Sequence, residues 1–313
     1  MLVREAFVLV GPTASGKSGV GQLLAERLDA AILSADSMLV YQGMDIGTAK
    51  PSVASRGSVP YLGIDLVAPD RGFDLWQYLR LVRTQLERLP AGMPVLVVGG
   101  SGLYVKALLE GLDSQRAVPA TRAQWEAVWA EEGVAGLQAV LQEKDASGLK
   151  ALADPNNPRR LIRAIEQACA EGSGKGVRSW RKGGNLVPIA GLLPDRAVLR
   201  QRIVDRVAQM YRAGLLEETE ALLRQYPRLS DTACQAIGYR EAMEVLSGAS
   251  SAEAAQARTI VRTNRLAKRQ GTWFRHQANV DWLWPGATYG IEDLAAKVEG
   301  VWRKHGSIQL KLQ

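Results

Sequence analysis

The chain has 313 residues, 47% of them hydrophobic, and a formal net charge of +7 at pH 7. That length suits one large domain or two modest ones with an ample core. Two cysteines far apart and two histidines argue against a disulfide framework or a Cys/His zinc site. No apolar run approaches the ~18 residues of a membrane span, and charges near the N-terminus argue against a signal peptide. We therefore expect a cytoplasmic protein without a membrane partner, and a monomer.

Strand and helix patterns alternate over the first hundred residues. The predicted elements are strands at 5–10, 30–33, 63–67 and 95–98 and helices at 17–28 and 74–89. The strands are short continuous apolar runs, which is typical of strands buried on both faces. Such strands with helices between them predict a parallel sheet with right-handed crossovers.

The pattern changes between about residues 119 and 181, where apolar residues at helical spacing mark several helices without a strand between them. The glycine- and lysine/arginine-rich stretch 172–184 that follows is typical of a linker or mobile loop. The chain then continues with a strand at 185–194 and helices at 195–212, 215–225 and 250–277. We predict an α/β fold class: a parallel sheet flanked by helices at 1–115 and 186–313, plus an all-helical insertion domain at 116–185.

The positive charge is concentrated in two segments. Residues 154–206 hold 11 Lys/Arg against 5 Asp/Glu, and residues 256–275 hold 6 Lys/Arg and no acid. The rest of the chain is net acidic. Either segment alone is typical of a solvated helix face, but the two together indicate a polyanionic partner.

One motif carries phosphate chemistry. The segment "GPTASGKS" follows the first strand, opens a helix and matches the full pattern G-x-x-x-x-G-K-[ST]. Backbone N–H groups of such a loop converge on phosphate oxygens, with help from the helix dipole. We predict a P-loop core in which the following residues form the phosphate-binding loop: Gly11, Pro12, Thr13, Ala14, Ser15, Gly16, Lys17 and Ser18.

The acid that usually holds magnesium in a nucleotide triphosphatase is missing from its expected place. The strand 95–98 ends in Gly99 and Gly100, and the acid best placed at a strand end is Asp36. Magnesium ligation by Asp36 therefore stays open. The loop also fits a phosphate group other than that of a nucleotide, such as a diphosphate.

Six segments in order resemble the tRNA dimethylallyltransferase family, also called tRNA isopentenyltransferase. They are "GPTASGKS", "SADSMLVYQGMDIGTAKP", "GGSGLYVKALLEGL", "NPRRLIRAIE", "QAIGYREAM" and "LAKRQGTWFR". The resemblance covers roughly residues 5–285 and is bacterial in type. It implies transfer of a dimethylallyl group from dimethylallyl diphosphate to N6 of the adenosine 3′ to the anticodon in tRNA, so that the loop holds a diphosphate.

The resemblance also implies roles for single residues around the donor. Lys17 would neutralise diphosphate charge, and Ser18 would offer its hydroxyl to Mg²⁺, the expected cofactor. Arg206 would supply a further cation to the leaving group. From the residues alone, Arg202 one turn away is an alternative, and both also fit an exposed helix face.

On the acceptor side, the adenine amine is a poor nucleophile that needs a carboxylate to accept its proton. Asp36 matches the base of the family. Ser101 stands where the family most often has threonine, and its hydroxyl would bond the adenine or orient Asp36. A target base stacked in an anticodon loop must also be flipped out before it can react.

The tRNA contacts implied by the resemblance lie in four segments and at two single positions. They are Asp36, Ser37, Met38, Leu39, Ser101, Arg122, Arg159, Arg160, Leu161, Ile162, Arg163, Gln235, Ala236, Ile237, Gly238, Tyr239 and Arg240. Leu39 departs from the family, which commonly has glutamine there. In addition, Arg258, Arg262, Arg265 and Arg269 recur at a spacing that places them on one helix face. Their own segment holds no acid to pair with them.

Two other functions fit parts of the sequence. A P-loop kinase of a nucleoside or small metabolite would share the loop and the size, but would not need two basic segments. A nucleotide-gated RNA-binding protein would share the basic segments, but would leave Asp36 without a catalytic purpose.

Overall fold

The computed structural model describes residues 4–111, 119–152, 154–169, 187–286 and 290–312. The chain forms two compact units, one from residues 1–111 and 180–313 and the other from residues 112–179. The predicted linker 172–184 lies outside the described residues, as do the domain boundaries drawn from the sequence at 115/116 and 185/186. Those boundaries stay a prediction.

The larger unit is built on one sheet with the strand order β3-β2-β4-β1-β5-β6. Its strands are β1 (Glu5–Val10), β2 (Ala31–Ala35), β3 (Tyr61–Leu62), β4 (Val95–Gly99), β5 (Ile189–Leu192), β6 (Val280–Leu283) and β7 (Ile308–Gln309). The pairs along this order are parallel, and β7 pairs antiparallel with the start of β1. The strands β2, β4 and β5 are buried throughout, which explains why their sequences are apolar apart from Ser34. The predicted α/β class with a parallel sheet flanked by helices is confirmed.

Helices connect and cover these strands. In the larger unit they are α1 (Lys17–Leu28), α2 (Val53–Arg56), α3 (Leu75–Glu87), α4 (Gly102–Glu110), α7 (Arg196–Arg212), α8 (Leu215–Gln225), α9 (Tyr239–Leu246), α10 (Ala252–Gln277) and α11 (Ile291–His305). A 3₁₀ turn, Ala233–Gln235, precedes α9. Among the described residues no helix is long and apolar enough to cross a membrane.

The sheet core is closed on one side by α1 and α11. Their apolar faces pack with buried residues of the central strands into one cluster. Trp302 of α11 stacks on Phe7, with 5.1 Å between ring centroids, and its indole N–H donates to the Val8 carbonyl at 3.2 Å. This contact fastens α11 to β1, the strand that leads into the phosphate-binding loop.

The smaller unit is helical where it is described. It contains α5 (Pro119–Ala151), which breaks at Gly133 and Asp145, and α6 (Pro158–Cys169). The two helices share a core that includes Leu137, Leu161 and Ile165. Burial of these side chains supplies the unit with its own hydrophobic stabilisation.

The predicted third strand is displaced. The structure has β3 at Tyr61–Leu62, whereas residues 63–67 turn away from the sheet. Gly63 and Asp65 both have positive φ, 75° and 54°, a left-handed conformation that a strand does not accommodate. The elements β6, α11 and β7 were not predicted.

Candidate active site

The phosphate-binding loop joins β1 to α1 at the carboxyl end of the sheet. Ala14 and Gly16 adopt left-handed φ values of 62° and 94°, which turn successive backbone N–H groups toward one side. The first turn of α1 has no side-chain cap and no acidic residue. Its free N–H groups and helix dipole therefore form an anion site.

Lys17 adds a buried cation to this loop. Its ammonium donates to the Pro12 carbonyl at 3.3 Å, and only 9% of the residue is exposed. Burial lowers the pKa of Lys17 to about 8, the Asp36 carboxylate opposes this shift, and Arg206 adds to it. The three charges therefore share one electrostatic environment, in which two cations face a single carboxylate.

Asp36 lies directly after β2, beside the end of β4. Its Oδ1 accepts the Met38 N–H at 2.9 Å, which fixes the carboxylate at the start of the loop 36–39. Gly99 makes the close approach of the two strand ends possible, because a Cβ there would overlap the Ala35 carbonyl. Asp36 is thus held at the edge of the sheet where ligands of open α/β folds bind.

Ser101 fastens the same loop from β4. Its Oγ accepts the Ser37 N–H at 3.1 Å, and its own N–H donates to the Ala35 carbonyl at 3.2 Å. The predicted role of Ser101 in orienting Asp36 stays a prediction, and the bonded partner in the structure is Ser37, the next residue. Any orientation of Asp36 by Ser101 is therefore transmitted through the backbone.

The two candidate arginines of α7 occupy different places. Arg206 faces a cavity next to Asp36. Burial lowers the pKa of Arg206, and Asp36 opposes that shift. Arg202 instead donates to the Ser15 carbonyl at 3.4 Å and supports the phosphate-binding loop. The geometry favours Arg206 as the cation that meets a ligand in the cavity.

The cavity has a volume of about 500 Å³, and its lining combines residues predicted to act on the donor with residues predicted to contact the tRNA. Its lining includes the predicted Asp36, Ser37, Met38, Ser101, Arg206, Gln235, Ala236 and Ile237. The phosphate-binding loop reaches it through Thr13, and Asp36 is the one acid among the lining residues described. Leu39 does not line the cavity, and its carbonyl accepts the Asp65 N–H at 3.0 Å.

Several lining residues were not predicted as site residues. Val207 and Met210 of α7 and Leu266 of α10 form an apolar wall, and Thr48 and Gln270 add polar groups. The apolar members share the helical spacing of core residues, so spacing alone does not distinguish them. Gln270 lies in the quoted segment "LAKRQGTWFR", but a single glutamine has no spacing signal of its own.

The segment 235–240 is held by a buried network. The Tyr239 hydroxyl donates to Glu218 Oε1 at 2.5 Å and accepts the Gly47 N–H at 3.2 Å, and Gly238 donates to Glu241 Oε2 at 2.9 Å. Burial and the neighbouring Glu218 raise the pKa of Tyr239. The side chain of Tyr239 is therefore buried and bonded within the protein, and its predicted contact with tRNA stays a prediction. Gln235 and Arg240 are exposed.

The four arginines of α10 are not alike, because two of them pair with acids outside their own segment. Arg258 bonds Glu244 at 2.6 Å, and Arg262 pairs with Glu241, both acids of α9. Arg265 and Arg269 line the cavity without an ion-pair partner among the described residues. The sequence of α10 does not show these ion pairs, because the pairing acids belong to a different helix.

In the helical unit, some of the predicted RNA-contacting residues are paired or buried, and others are exposed. Arg122 and Arg163 both pair with Glu166, whose side chain is 6% exposed, at 3.5 and 3.0 Å. The side chains of Leu161 and Ile162 are buried in the helical core, and their predicted contact with tRNA stays a prediction.

Arg159 and Arg160 are the exposed members of that segment. Their backbone N–H groups donate to Asn157 Oδ1 at 3.1 and 3.4 Å. The asparagine therefore already occupies the N–H groups at the start of α6, and the two guanidinium groups remain for an anionic partner.

Comparisons with known proteins identify relatives of the chain. The family model described as "IPP transferase" matches residues 39–277. A tRNA dimethylallyltransferase of Streptomyces griseus is 39% identical over 286 residues, covering 90% of this chain and 91% of that protein. One of Thermus thermophilus is 40% identical over 272 residues, covering 86% and 89%.

Solved structures show the same likeness. The full-length tRNA isopentenylpyrophosphate transferase of Bacillus halodurans is 35% identical, covers 96% of this chain and 98% of its own, and has a TM-score of 0.66. A eukaryotic dimethylallyltransferase acting on tRNA has a TM-score of 0.76 at 20% identity, covering 97% of this chain and 80% of its own. At that identity the second likeness concerns the fold alone.

Proposed function

The chain belongs to the tRNA dimethylallyltransferase (IPP transferase) family, and from that premise we propose its reaction and the residues that perform it. The protein transfers a dimethylallyl group from dimethylallyl diphosphate to N6 of the adenosine 3′ to the anticodon in tRNA, and releases diphosphate. The observation that supports this most directly is one cavity in which Thr13 of the phosphate-binding loop, Arg206 and the carboxylate of Asp36 meet.

The donor is held by its diphosphate. Backbone N–H groups of the loop and the start of α1 receive the oxygens, and Lys17 and Arg206 supply positive charge. As the C–O bond of the donor breaks, negative charge grows on the departing diphosphate, so these cations stabilise the transition state more than the ground state. The apolar wall of Val207, Met210 and Leu266 suits the hydrocarbon end of the donor.

The acceptor is the exocyclic amine of a flipped adenine. N6 attacks the allylic carbon, a C–N bond forms as the C–O bond breaks, and the N6 proton passes to Asp36. The carboxylate is held for this task by the Met38 N–H, and Ser101 holds the adjoining Ser37. Lys17 and Arg206 interact electrostatically with Asp36, so the base lies in a positively charged environment next to the diphosphate site.

Magnesium fits the donor set of this site. The described residues contain no cluster of three or more His, Cys, Asp or Glu that could cage a metal alone, and the hydroxyl of Ser18 is exposed at the start of α1. Mg²⁺ commonly keeps several waters and binds through few protein groups plus substrate phosphates. Ser18, with Asp36 as an alternative, would hold it, and the ion would neutralise diphosphate charge.

The tRNA is bound by exposed cations around the cavity and on the helical unit. Arg265 and Arg269 line the cavity, and Arg159 and Arg160 present exposed guanidinium groups on α6. Phosphate contacts of this kind set affinity and position, whereas the flipped base is recognised inside the cavity.

Incubation with Mg²⁺, labelled dimethylallyl diphosphate and unmodified tRNA, with labelled ATP in a parallel reaction, tests the proposal. We expect label from the isoprenoid donor on the tRNA and no phosphoryl transfer from ATP. Phosphoryl transfer from ATP without isoprenoid transfer would indicate the kinase. If neither reaction is observed, the RNA-binding protein is the function that fits. The structure disfavours the kinase, because β4 ends in glycine where a magnesium-binding acid is usual.

A further inference from the structure

Gln270 of α10 contacts the phosphate-binding loop from the side that faces the cavity. Its side-chain Oε1 accepts the Thr13 N–H at 2.8 Å, across 257 residues of sequence. Thr13 stands in the middle of the loop, where backbone direction decides which N–H groups face an anion. This bond therefore fixes the loop at Thr13 through a residue that lies outside the loop.

The amide nitrogen of the same side chain, Gln270 Nε2, lies beside Gly100, close to the phosphate-binding loop. A Cβ placed on Gly100 would lie 2.6 Å from Gln270 Nε2 and 2.9 Å from the Gly11 carbonyl. Gly100 thus leaves room for the amide of Gln270 beside the phosphate-binding loop. The next residue, Ser101, bonds Ser37 at the start of the loop that carries Asp36. One side chain of α10 therefore lies against the phosphate-binding loop and against Gly100, whose neighbour Ser101 holds the loop that carries Asp36.

The same helix also faces the RNA side of the cavity. Arg265 and Arg269 line the cavity from α10, within five residues of Gln270. A shift of α10 on binding of RNA would be transmitted to Thr13 through the side chain of Gln270. A bond of this kind couples two ligand sites only if its loss changes the affinity of one of them.

We propose that Gln270 is a positioning residue that holds the phosphate-binding loop in the shape that binds diphosphate and links that loop to α10. Only the identity of the anion rests on the function proposed above. Loss of one net hydrogen bond corresponds to a change of roughly 3- to 10-fold in an equilibrium constant. We therefore expect Gln270→Met, which keeps the length and removes the acceptor, to weaken the binding of inorganic diphosphate by about that factor.

Three variants separate this role from simple packing. Gln270→Met removes the acceptor, Gln270→Glu keeps an oxygen for the Thr13 N–H, and Gln256→Met is the matched control on the same helix, away from the cavity. Amide hydrogen exchange of the segment 11–18 should rise in Gln270→Met and stay at the parental level in Gln270→Glu and Gln256→Met. The added charge of Gln270→Glu should weaken diphosphate binding at low salt and less so at high salt.

Calorimetry with inorganic diphosphate and binding assays with tRNA alone complete the experiment. We expect Gln270→Met to raise the diphosphate Kd and the KM for the isoprenoid donor, with tRNA affinity changed less than twofold. Parental loop exchange together with parental diphosphate affinity in Gln270→Met would overturn the proposal. So would equal losses of diphosphate and tRNA affinity. If the parental chain transfers no isoprenoid but the loop and diphosphate effects persist, the proposed function fails and the role of Gln270 stands.

Discussion

At the scale of single residues, burial of Lys17 lowers the free energy of unfolding of the ligand-free protein, and we expect binding of diphosphate to offset this loss. The pKa of its ammonium falls from 10.5 to about 8 because burial removes water from a cation, and this shift corresponds to about 3 kcal/mol. Below pH 8 the residue is protonated in both the folded and the unfolded states, so the whole penalty is present. Between about pH 8 and 10.5 the unfolded chain binds more protons, and the penalty declines as the pH rises.

Lys17→Met should therefore stabilise the ligand-free protein at pH 7 while it abolishes tight diphosphate binding. We expect a gain of up to about 3 kcal/mol in the free energy of unfolding, shrinking as the pH approaches 10. Denaturant unfolding at several pH values, with a chelator present to remove metal ions, measures it. A variant that is less stable than the parent at pH 7 would show that the ammonium is not penalised by burial.

Arg206 and Arg202 offer a matched comparison on one helix. Arg206→Ala should lower the rate of transfer roughly 10²-fold or more, because a preorganised cation facing the developing charge is lost. Arg202→Ala should cost less, since that side chain supports the Ser15 carbonyl, and the exposed Arg200→Ala should leave the rate within about twofold of the parent. Single-turnover kinetics at saturating donor measures these rates. A larger loss of transfer rate for Arg202→Ala than for Arg206→Ala would identify Arg202 as the cation that faces the developing charge.

At the scale of elements, α10 places two kinds of arginine along one face. Arg258 and Arg262 join α10 to the acids of α9, whereas Arg265 and Arg269 are directed to the cavity. Exposed ion pairs such as Arg258–Glu244 contribute little to stability, with typical values of about 0–1 kcal/mol. The two pairs join α10 to α9, and we propose that Arg265 and Arg269 meet the phosphates of the tRNA.

Replacing Arg265 and Arg269 with glutamine should weaken tRNA binding and flatten its salt dependence. Each phosphate contact that is lost reduces the slope of log K against log salt by roughly one. Arg258→Gln is the control, because its guanidinium is already paired with Glu244. Equilibrium binding of unmodified tRNA over a range of salt concentrations measures the slopes. Equal slopes for the double variant and the parent would remove these two arginines from the RNA surface.

In the helical unit, Glu166 and its two arginines form a packed ion-pair cluster. Arg122→Met should destabilise the protein by leaving the buried carboxylate with less compensation, and losses of this kind reach about 3–5 kcal/mol when a pair is fully buried. The larger exposed fraction of Arg122, 38% against 6% for Glu166, places the expected loss below that limit. Thermal unfolding measures it, with Arg160→Met as the exposed control. An unchanged transition for Arg122→Met would mean that Glu166 does not need Arg122 as a partner.

At the scale of the whole molecule, the sequence predicted the parallel sheet and the phosphate-binding loop because both depend on local patterns. The helix over 17–28 coincides with α1, and the predicted helix 215–225 coincides with α8. The pairing of Arg262 with Glu241 and the bond from Thr13 to Gln270 were not predicted, because their partners are distant in sequence. Residues 63–67 were misassigned since an apolar run does not show the left-handed turns at Gly63 and Asp65.

We propose that donor, acceptor and base meet in one cavity, with Asp36 accepting the proton of the adenine amine. The most direct test is single-turnover transfer by Asp36→Asn from a preformed complex with dimethylallyl diphosphate and tRNA, with both affinities measured separately. We expect both ligands to bind nearly as in the parent while the transfer rate falls roughly 10²–10⁴-fold. Near-normal transfer at saturating donor and tRNA would contradict the account.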